Sequence, residues 1–384
     1  MISFIEIVFY ITGFLCGYSY FVYPFVLKVL KERQDIDAKP LQDQEGNSPK
    51  VSLIITVHNE EKRITEKLLN TLEINYPATS LQIIVASDQS TDGTEEIVNS
   101  FSDKGVELVR ADARKGKEYA QLCAIKSAIG DIVVFSDVAT SIPNDALNLL
   151  VEKYSNTAVG AVSSEDQFIS DDGKLVGEGV YVKYEMWLRR LESARGGLVG
   201  LSGSFFSARK EMCDEWDIYS PSDFNVALTC ARKGKIAITC PEVVGIYKDV
   251  KDKKLEFSRK VRTVIRGVTA ISRHSEVLNP FKFGLFSFQV WSHKIMRWAV
   301  PWFMLIFFVT NLLLLGKSSF YQYSFAAQLL FYFIALIGWI TSASHKYSIV
   351  RIIYFFVQTN IALAQATLFF AFGKRMYTWT PSKR

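Results

Sequence analysis

Apolar residues are distributed along this chain in two ways. At both ends they continue for the width of a membrane, while between residues 50 and 280 they come in short bursts separated by polar, helix-length stretches. The first 30 residues are apolar and aromatic, interrupted only by Glu6 and Lys28. Within them, Ile7–Val26 has roughly the 20 residues that a bilayer requires and reads as an uncleaved anchor, since no basic n-region precedes it. Three more spans follow near the other end: Trp298–Leu315, about Ser324–Ile340, and Ile352–Phe372. Ahead of them, Phe281–Trp291 carries seven apolar residues with Lys282, Lys294 and Arg297 around it, which predicts a helix lying in the membrane interface.

The middle of the chain predicts strands at Val51–Val57, Gln82–Ala86, Val106–Val109 and Ile132–Phe135. Helices are predicted at Glu61–Leu72, Thr94–Ser102 and Lys117–Ile129. Strands that alternate with helices imply right-handed crossovers, hence an α/β domain on a mainly parallel sheet. Ligands of such sheets bind beyond the carboxyl ends of the strands. The resulting plan is a transmembrane helix at 1–30, a polar linker at 31–49 and an α/β domain at 50–278. An interfacial amphipathic helix at 279–297 and transmembrane helices with a short tail at 298–384 complete it.

Composition agrees with this division. The 384 residues are 49% hydrophobic and 22% charged, with a mean hydropathy of +0.13; residues 318–344 and 352–372 carry no charge at all. Five scattered cysteines without a C-x-x-C pair fit a reducing compartment. Residues 248–297 hold 12 Lys and Arg against 4 Asp and Glu, a local excess of +8 beside a whole-chain charge of +5. Apolar spans follow this basic run directly, so it points to anionic lipid and not to nucleic acid. Lys28, Lys31 and Arg33 after the first span place the α/β domain in the cytoplasm of an integral, inner-membrane protein. Four spans would then leave Lys374, Arg375, Lys383 and Arg384 outside, against the positive-inside tendency, so one segment is expected to be re-entrant or interfacial. Charge pairs are not evident inside the spans, which argues against a transporter.

Four polar clusters end predicted strands or open helices. They are VSLIITVHNEE from Val51, IIVASDQSTDGT from Ile83, RKGK from Arg114, and IVVFSD ending at Asp137. Singly each has a plainer reading: Asp88 and Asp92 as turn or cap residues, Lys117 as a solvated lysine, Asp137 as another cap. All four in order at strand ends and helix starts are harder to obtain by chance. A helix opening such as RKGK favours an anionic group.

With a later acidic-aromatic SDF at Ser222–Phe224, this order resembles the family 2 glycosyltransferases of GT-A fold. The likeness is strongest to the membrane-anchored cellulose, hyaluronan and poly-N-acetylglucosamine synthases. The resemblance spans about residues 50–270 and implies a Rossmann-like, mainly parallel cytosolic domain with transmembrane α-helices. It implies that Thr56, His58, Glu60, Asp88, Lys117 and Asp137 bind a nucleotide-sugar donor, with Asp88 on a uracil-type base and Asp137 on the metal, Mg²⁺ or Mn²⁺. Asp223 falls where the family has its general base. Tyr184, Glu185, Ser202, Gly203, Ser204, Arg259 and Arg262 fall where relatives contact acceptor or diphosphate. Trp187 is a further candidate for acceptor contact in the same stretch, although it reads more readily as a core aromatic.

The implied function is an inverting transfer of a sugar, UDP-linked, to a lipid-linked or polysaccharide acceptor. Partners would be the nucleotide sugar, the acceptor, membrane lipids and polysaccharide-assembly proteins. Two departures keep alternatives open. Ala139 replaces the second D-x-D carboxylate, which leaves room for an inactive nucleotide-sugar-binding partner. Arg259-Lys-Val-Arg-Thr263 stands in place of Q-x-x-R-W, which weakens the reading as a processive, extruding synthase.

Overall fold

The computed structural model describes residues 2–33, 48–169, 180–248 and 253–376. Most of the predicted linker, and Lys383 and Arg384, fall outside these. The chain begins with α1 (Phe4–Gly17), α2 (Tyr23–Val29), β1 (Val51–Val57), α3 (Ile64–Leu72), β2 (Leu81–Ser87), α4 (Thr94–Asn99) and β3 (Val106–Arg110). It continues through α5 (Lys117–Ser127), β4 (Ile132–Asp137), α6 (Ala146–Glu152), β5 (Val159–Ile169), α7 (Val180–Ser193), β6 (Phe205–Arg209) and α8 (Ser222–Arg232). It ends with β7 (Ile236–Lys248), α9 (Lys253–Arg273), α10 (Pro280–Val290), α11 (Met296–Leu313), α12 (Ser319–Ile340) and α13 (Ser348–Ala371). Two compact units result: an α/β unit over 27–251 and 269–289, and a helical unit over residues up to 26, 252–268 and 290–375.

The α/β unit is built on a seven-stranded sheet of order β3-β2-β1-β4-β6-β5-β7. The pairs β1–β2, β2–β3 and β1–β4 are parallel, as the sequence predicts, whereas β6 runs antiparallel to both β4 and β5. From β1 the chain steps outward to β3 and then returns to β4 on the other side of β1. The carboxyl ends of β1 and β4 therefore flank a topological switch point, where open α/β sheets bind ligands.

Every residue of β1 is buried, which is why Val51–Val57 reads as one apolar run: helices cover both faces of a parallel sheet. Ile54, Ile84, Phe135 and Phe206 pack in one core layer with Ala120 and Ala124 of α5. Leu53, Val134 and Phe205 face the opposite layer with Leu147 and Leu150 of α6. Full burial of such a side chain contributes about 1.5–3 kcal/mol. After α7 the chain crosses close to α10. Gln289 donates from Nε2 to the Gly197 carbonyl at 2.9 Å, and a Cβ at Gly196 would lie 1.7 Å from its Oε1. A larger residue at 196 would force the Gln289 amide to move.

In the helical unit, α1 packs along α11, with Phe9 stacked on Phe307 at 4.7 Å. Among the described residues, four stretches are long and apolar enough to cross a membrane: Phe4–Val29, Pro280–Leu313, Ser319–Ile340 and Ser348–Ala371. The aromatic segment at 281–291 and the following span form one helical stretch, broken at Gly284 (φ 50°). One ion pair does occur: Glu6, in the first turn of α1, binds Lys317 in the turn before α12 and accepts from Tyr321 Oη at 2.9 Å. It sits at helix ends, outside the uncharged stretches that the sequence showed. Residues 253–268 of α9 also belong to this unit, where Lys260 pairs with Glu256 at 3.0 Å.

A lysine is buried under the tip of β4. Lys67 of α3 is 2% exposed, and its Nζ donates to the Thr140 carbonyl at 2.7 Å. Burial lowers its pKa from 10.5 to about 7, with Asp137 opposing the shift. Between those values the unfolded chain binds one more proton than the folded one, so stability rises with pH across the window and the full penalty is felt below it. Relative to Lys67→Met, the wild type should gain up to about 1.4 kcal/mol per pH unit between pH 7 and 10. Thermal unfolding of both proteins in detergent at pH 7, 8 and 9 reads this as a converging pair of midpoints. Parallel midpoints would mean that the amine is not desolvated.

Candidate active site

The tips of β1 and β2 are knitted by their own polar residues. Asn59 and Gln89 turn the chain with φ of 54° and 51°, a left-handed conformation that asparagine tolerates better than most residues. Asn59 Oδ1 accepts from Thr91 N at 2.8 Å, and the Glu60 amide donates to Thr94 Oγ1 at 2.8 Å. Asp92 accepts from the Thr94 amide at 3.1 Å and the Glu61 amide at 3.2 Å; for this residue the plainer turn reading holds. Glu60 is held bidentately by Arg63, both bonds at 2.7 Å.

Asp88 is different. It is fully buried; Oδ1 accepts the amides of Lys115 and Gly116 at 3.1 Å each, while Oδ2 is buried without a hydrogen-bond partner. His58 holds it from behind, Nδ1–H donating to the Asp88 carbonyl at 2.8 Å. That fixes Nδ1 as the protonated nitrogen and makes His58 a support for Asp88. Burial raises the Asp88 carboxyl above the usual range, against the pull of the two amides and of His58. Thr56 Oγ1 and Thr140 Oγ1 are likewise buried and unpartnered. Buried polar atoms nearly always have a partner, so Asp88 Oδ2, Thr56 Oγ1 and Thr140 Oγ1 are polar atoms at these strand tips open to a further hydrogen bond.

The Gly116 turn brings α5 into position. Its φ of 102° is open to glycine and strained for other residues, and it lets the next residue, Lys117, begin the helix. Lys117 Nζ reaches the Asp137 carboxylate at 2.6 Å and the Gly203 carbonyl at 3.0 Å. Burial acts to lower the Lys117 pKa, but the Asp137 charge prevails and holds it above the ordinary lysine value. Asp137 pairs in register with Thr56 of β1, and its amide donates to the Ser204 carbonyl at 2.9 Å. Asp223, in the first turn of α8, lies over the same loop: a Cβ on Gly203 would stand 3.4 Å from its Oδ2. Thus Thr56, Asp88, Lys117, Asp137, Gly203 and Asp223 come from five strand ends or helix starts and one loop.

Ser202 and Ser204 turn to the other side of that loop. Both hydroxyls donate to Asp166 Oδ1, at 2.5 and 2.9 Å. Asp166 on β5, Ser163, Arg189 and the buried Lys67 escaped the sequence reading. Arg189 donates to Ser163 Oγ at 2.5 Å, and the Ser202 amide donates to the same oxygen at 2.7 Å. The signal was present but faint, since Ser-Ser-Glu-Asp-Gln within β5 interrupts the apolar alternation of a strand. Tyr184 and Glu185 stand half-exposed on α7, the Tyr184 ring 5.9 Å from that of Trp187. Arg259 and Arg262 belong to α9 within the helical unit.

No group of three or more His, Cys, Asp or Glu among the described residues is arranged to hold a metal by itself. With Oδ1 engaged by Lys117, Asp137 offers one carboxylate edge on a side chain 28% exposed. That suits an ion such as Mg²⁺, which often takes one or two protein carboxylates and completes its shell with water and substrate phosphate.

Residues 52–216 match the family described as Glycosyl transferase family 2. Among curated relatives, a dolichol-phosphate mannosyltransferase of Pyrococcus furiosus is 26% identical over 208 residues, which is 51% of this chain and 57% of that protein. A poly-beta-1,6-N-acetyl-D-glucosamine synthase of Staphylococcus epidermidis is 26% identical over 175 residues, 44% of this chain and 42% of that one. The chain thus spans about half the length of these relatives. The solved mannosyltransferase PcManGT of Pyrobaculum calidifontis, in complex with GDP-Man and Mn²⁺, is 22% identical with a TM-score of 0.72, covering 97% of this chain and all of that one, and so shares the fold. The sheet, the switch point and these matches together identify residues 52–216 as a glycosyltransferase family 2 domain of GT-A fold, in a chain that also carries four helices long enough to cross a membrane.

Proposed function

We propose that this protein is an integral-membrane enzyme that transfers a sugar from a nucleoside diphosphate, UDP for preference, to a hydroxyl of a lipid-linked or polysaccharide acceptor, with inversion. The observation that carries the reading is the convergence of Lys117, Asp137 and Asp223 around Gly203. The names of the two curated relatives support both acceptor classes.

Asp88 Oδ2, buried and unpartnered, is an acceptor for the imide N–H of a uracil-type base, and Thr56 Oγ1 offers a further polar contact beside it. The leaving diphosphate lies toward the start of α5, where the Lys117 ammonium offsets the charge that builds up. A divalent ion held by the open edge of Asp137 would supply further neutralisation of the phosphate oxygens. Asp223 takes the proton of the acceptor hydroxyl. The acceptor oxygen forms its bond to the anomeric carbon on one face while the bond to the β-phosphate oxygen breaks on the other. The electron pair leaves with the diphosphate, and the configuration inverts.

The basic residues after the first span support a cytoplasmic α/β unit in a cell membrane. A single addition is favoured over extrusion of a long polymer, since Thr263 stands where a processive synthase carries its aromatic platform.

Asp223→Asn should lower transfer roughly 10²–10⁴-fold, the usual worth of a general base, with nucleotide affinity unchanged by calorimetry. Turnover at the wild-type rate would remove Asp223 from this role. Stripping divalent ions with EDTA should slow transfer about tenfold or more, and Mg²⁺ or Mn²⁺ should restore it. Equal rates in both states would leave Lys117 as the neutralising charge.

A further inference from the structure

A cavity of about 340 Å³ opens in the α/β unit between α7 and the β5–β7 edge. Its origin lies in the sheet. Ser163 pairs with Thr239, but two residues further on Glu165 already pairs with Val244. β7 therefore contains three more residues than β5 over this step, and the resulting bulge includes Pro241, which lines the cavity with Val244. Bulges of this kind cluster beside active sites, where they re-aim side chains. On the facing helix, Lys183, Trp187 and Arg190 follow one another at spacings of four and three and so share one face.

The lining has a definite chemistry. Trp187 is 42% exposed, so it is not the core aromatic that its helical spacing predicts; its ring is one wall of the cavity. Opposite it stand Glu165, Asp166 and Gln167. Arg190 grips Glu165 through two bonds of 2.6 Å. Asp166 Oδ1 takes the Ser202 and Ser204 hydroxyls, and Oδ2 lies 3.8 Å from Arg189. Two lining carboxylates and two lining cations, Lys183 and Arg190, sum to zero charge. An anion would meet both carboxylates, and a hydrocarbon chain would strip water from four charged groups at a cost of several kcal/mol. A neutral, hydroxyl-rich ring meets neither difficulty: its C–H face covers the indole while its hydroxyls donate to carboxylates, the stronger class of hydrogen bond.

We propose that this cavity is a subsite for a neutral sugar unit of the acceptor, so that the acceptor already carries at least one sugar when it enters. The proposal rests on the function given above and narrows its acceptor, a hydroxyl of a lipid-linked or polysaccharide molecule, to one borne on a glycan or glycolipid. Asp166 links the subsite to the chemistry. The two serines it binds flank Gly203, whose carbonyl receives Lys117 and whose α-carbon lies beneath Asp223. A sugar seated on Trp187 thereby rests on the same loop as the reacting groups.

The test uses the full chain in detergent and saturation-transfer NMR with cellotetraose, chitotetraose and mannotetraose, and glycerol 3-phosphate as an anionic probe. UDP binding is measured on the same samples. At least one neutral oligosaccharide should bind the wild type, weaken about tenfold in Trp187→Ala and recover in Trp187→Phe, a loss expected for removal of an aromatic platform. UDP affinity should be equal in all three, which also reports that the variants are folded. Binding of glycerol 3-phosphate alone, no oligosaccharide binding, or equal oligosaccharide affinity in Trp187→Ala would overturn the subsite. Failure of the wild type to bind UDP would instead overturn the donor function, whatever the sugars do.

Discussion

One ammonium group joins the parts of the α/β unit that carry its chemistry. Lys117 Nζ stands between the Asp137 carboxylate and the Gly203 carbonyl, at 2.6 and 3.0 Å. It fastens the start of α5 to the tip of β4 and to the loop that precedes β6. Lys117 itself is buried, so removing Asp137 would leave the ammonium without its counterpart, which costs far more than the pair contributes. The same charge faces the place where a diphosphate would depart. Fold and proposed catalysis therefore constrain this residue together.

Around it the sheet leaves polar atoms incomplete. Asp88 is supported from three directions, by His58 and by the amides of Lys115 and Gly116, yet its second oxygen has no partner. Thr56 and Thr140 repeat the pattern at neighbouring tips. The supports are rigid because they come from strands whose registers are fixed by burial on both faces. Preorganised acceptors of this kind cost stability in the empty protein and recover it on binding. The buried Lys67 beneath Thr140 is a second such cost at the same switch point.

Much of this was legible in the sequence because a parallel sheet covered on both faces writes its strands as unbroken apolar runs. β1 lies at the residues its pattern predicts, and β2, β3 and β4 differ only by extra residues at their ends. The sheet beyond β4 was not legible. β5 and β7 mix serine, acid and apolar residues, and the antiparallel β6 follows a loop with no periodic signal. The residues proposed for the donor side stand out in the sequence because each ends a readable strand or opens a readable helix. Lys67 was missed because a lysine at helical spacing looks solvated, and its burial depends on the distant Thr140 carbonyl. Asp166 was missed because its partners, Ser202 and Ser204, lie more than 30 residues away. Trp187 looked like core because spacing alone cannot show that it lines a cavity together with the bulge in β7.

The central claim is that Lys117, fixed by Asp137, is the protein's own charge for the donor diphosphate. Calorimetric titration of UDP into the full-length protein and into Lys117→Met tests it most directly. The account predicts wild-type binding that weakens roughly 10–100-fold in the variant, the worth of one charge-assisted contact. Equal UDP affinity in a folded Lys117→Met protein would contradict it.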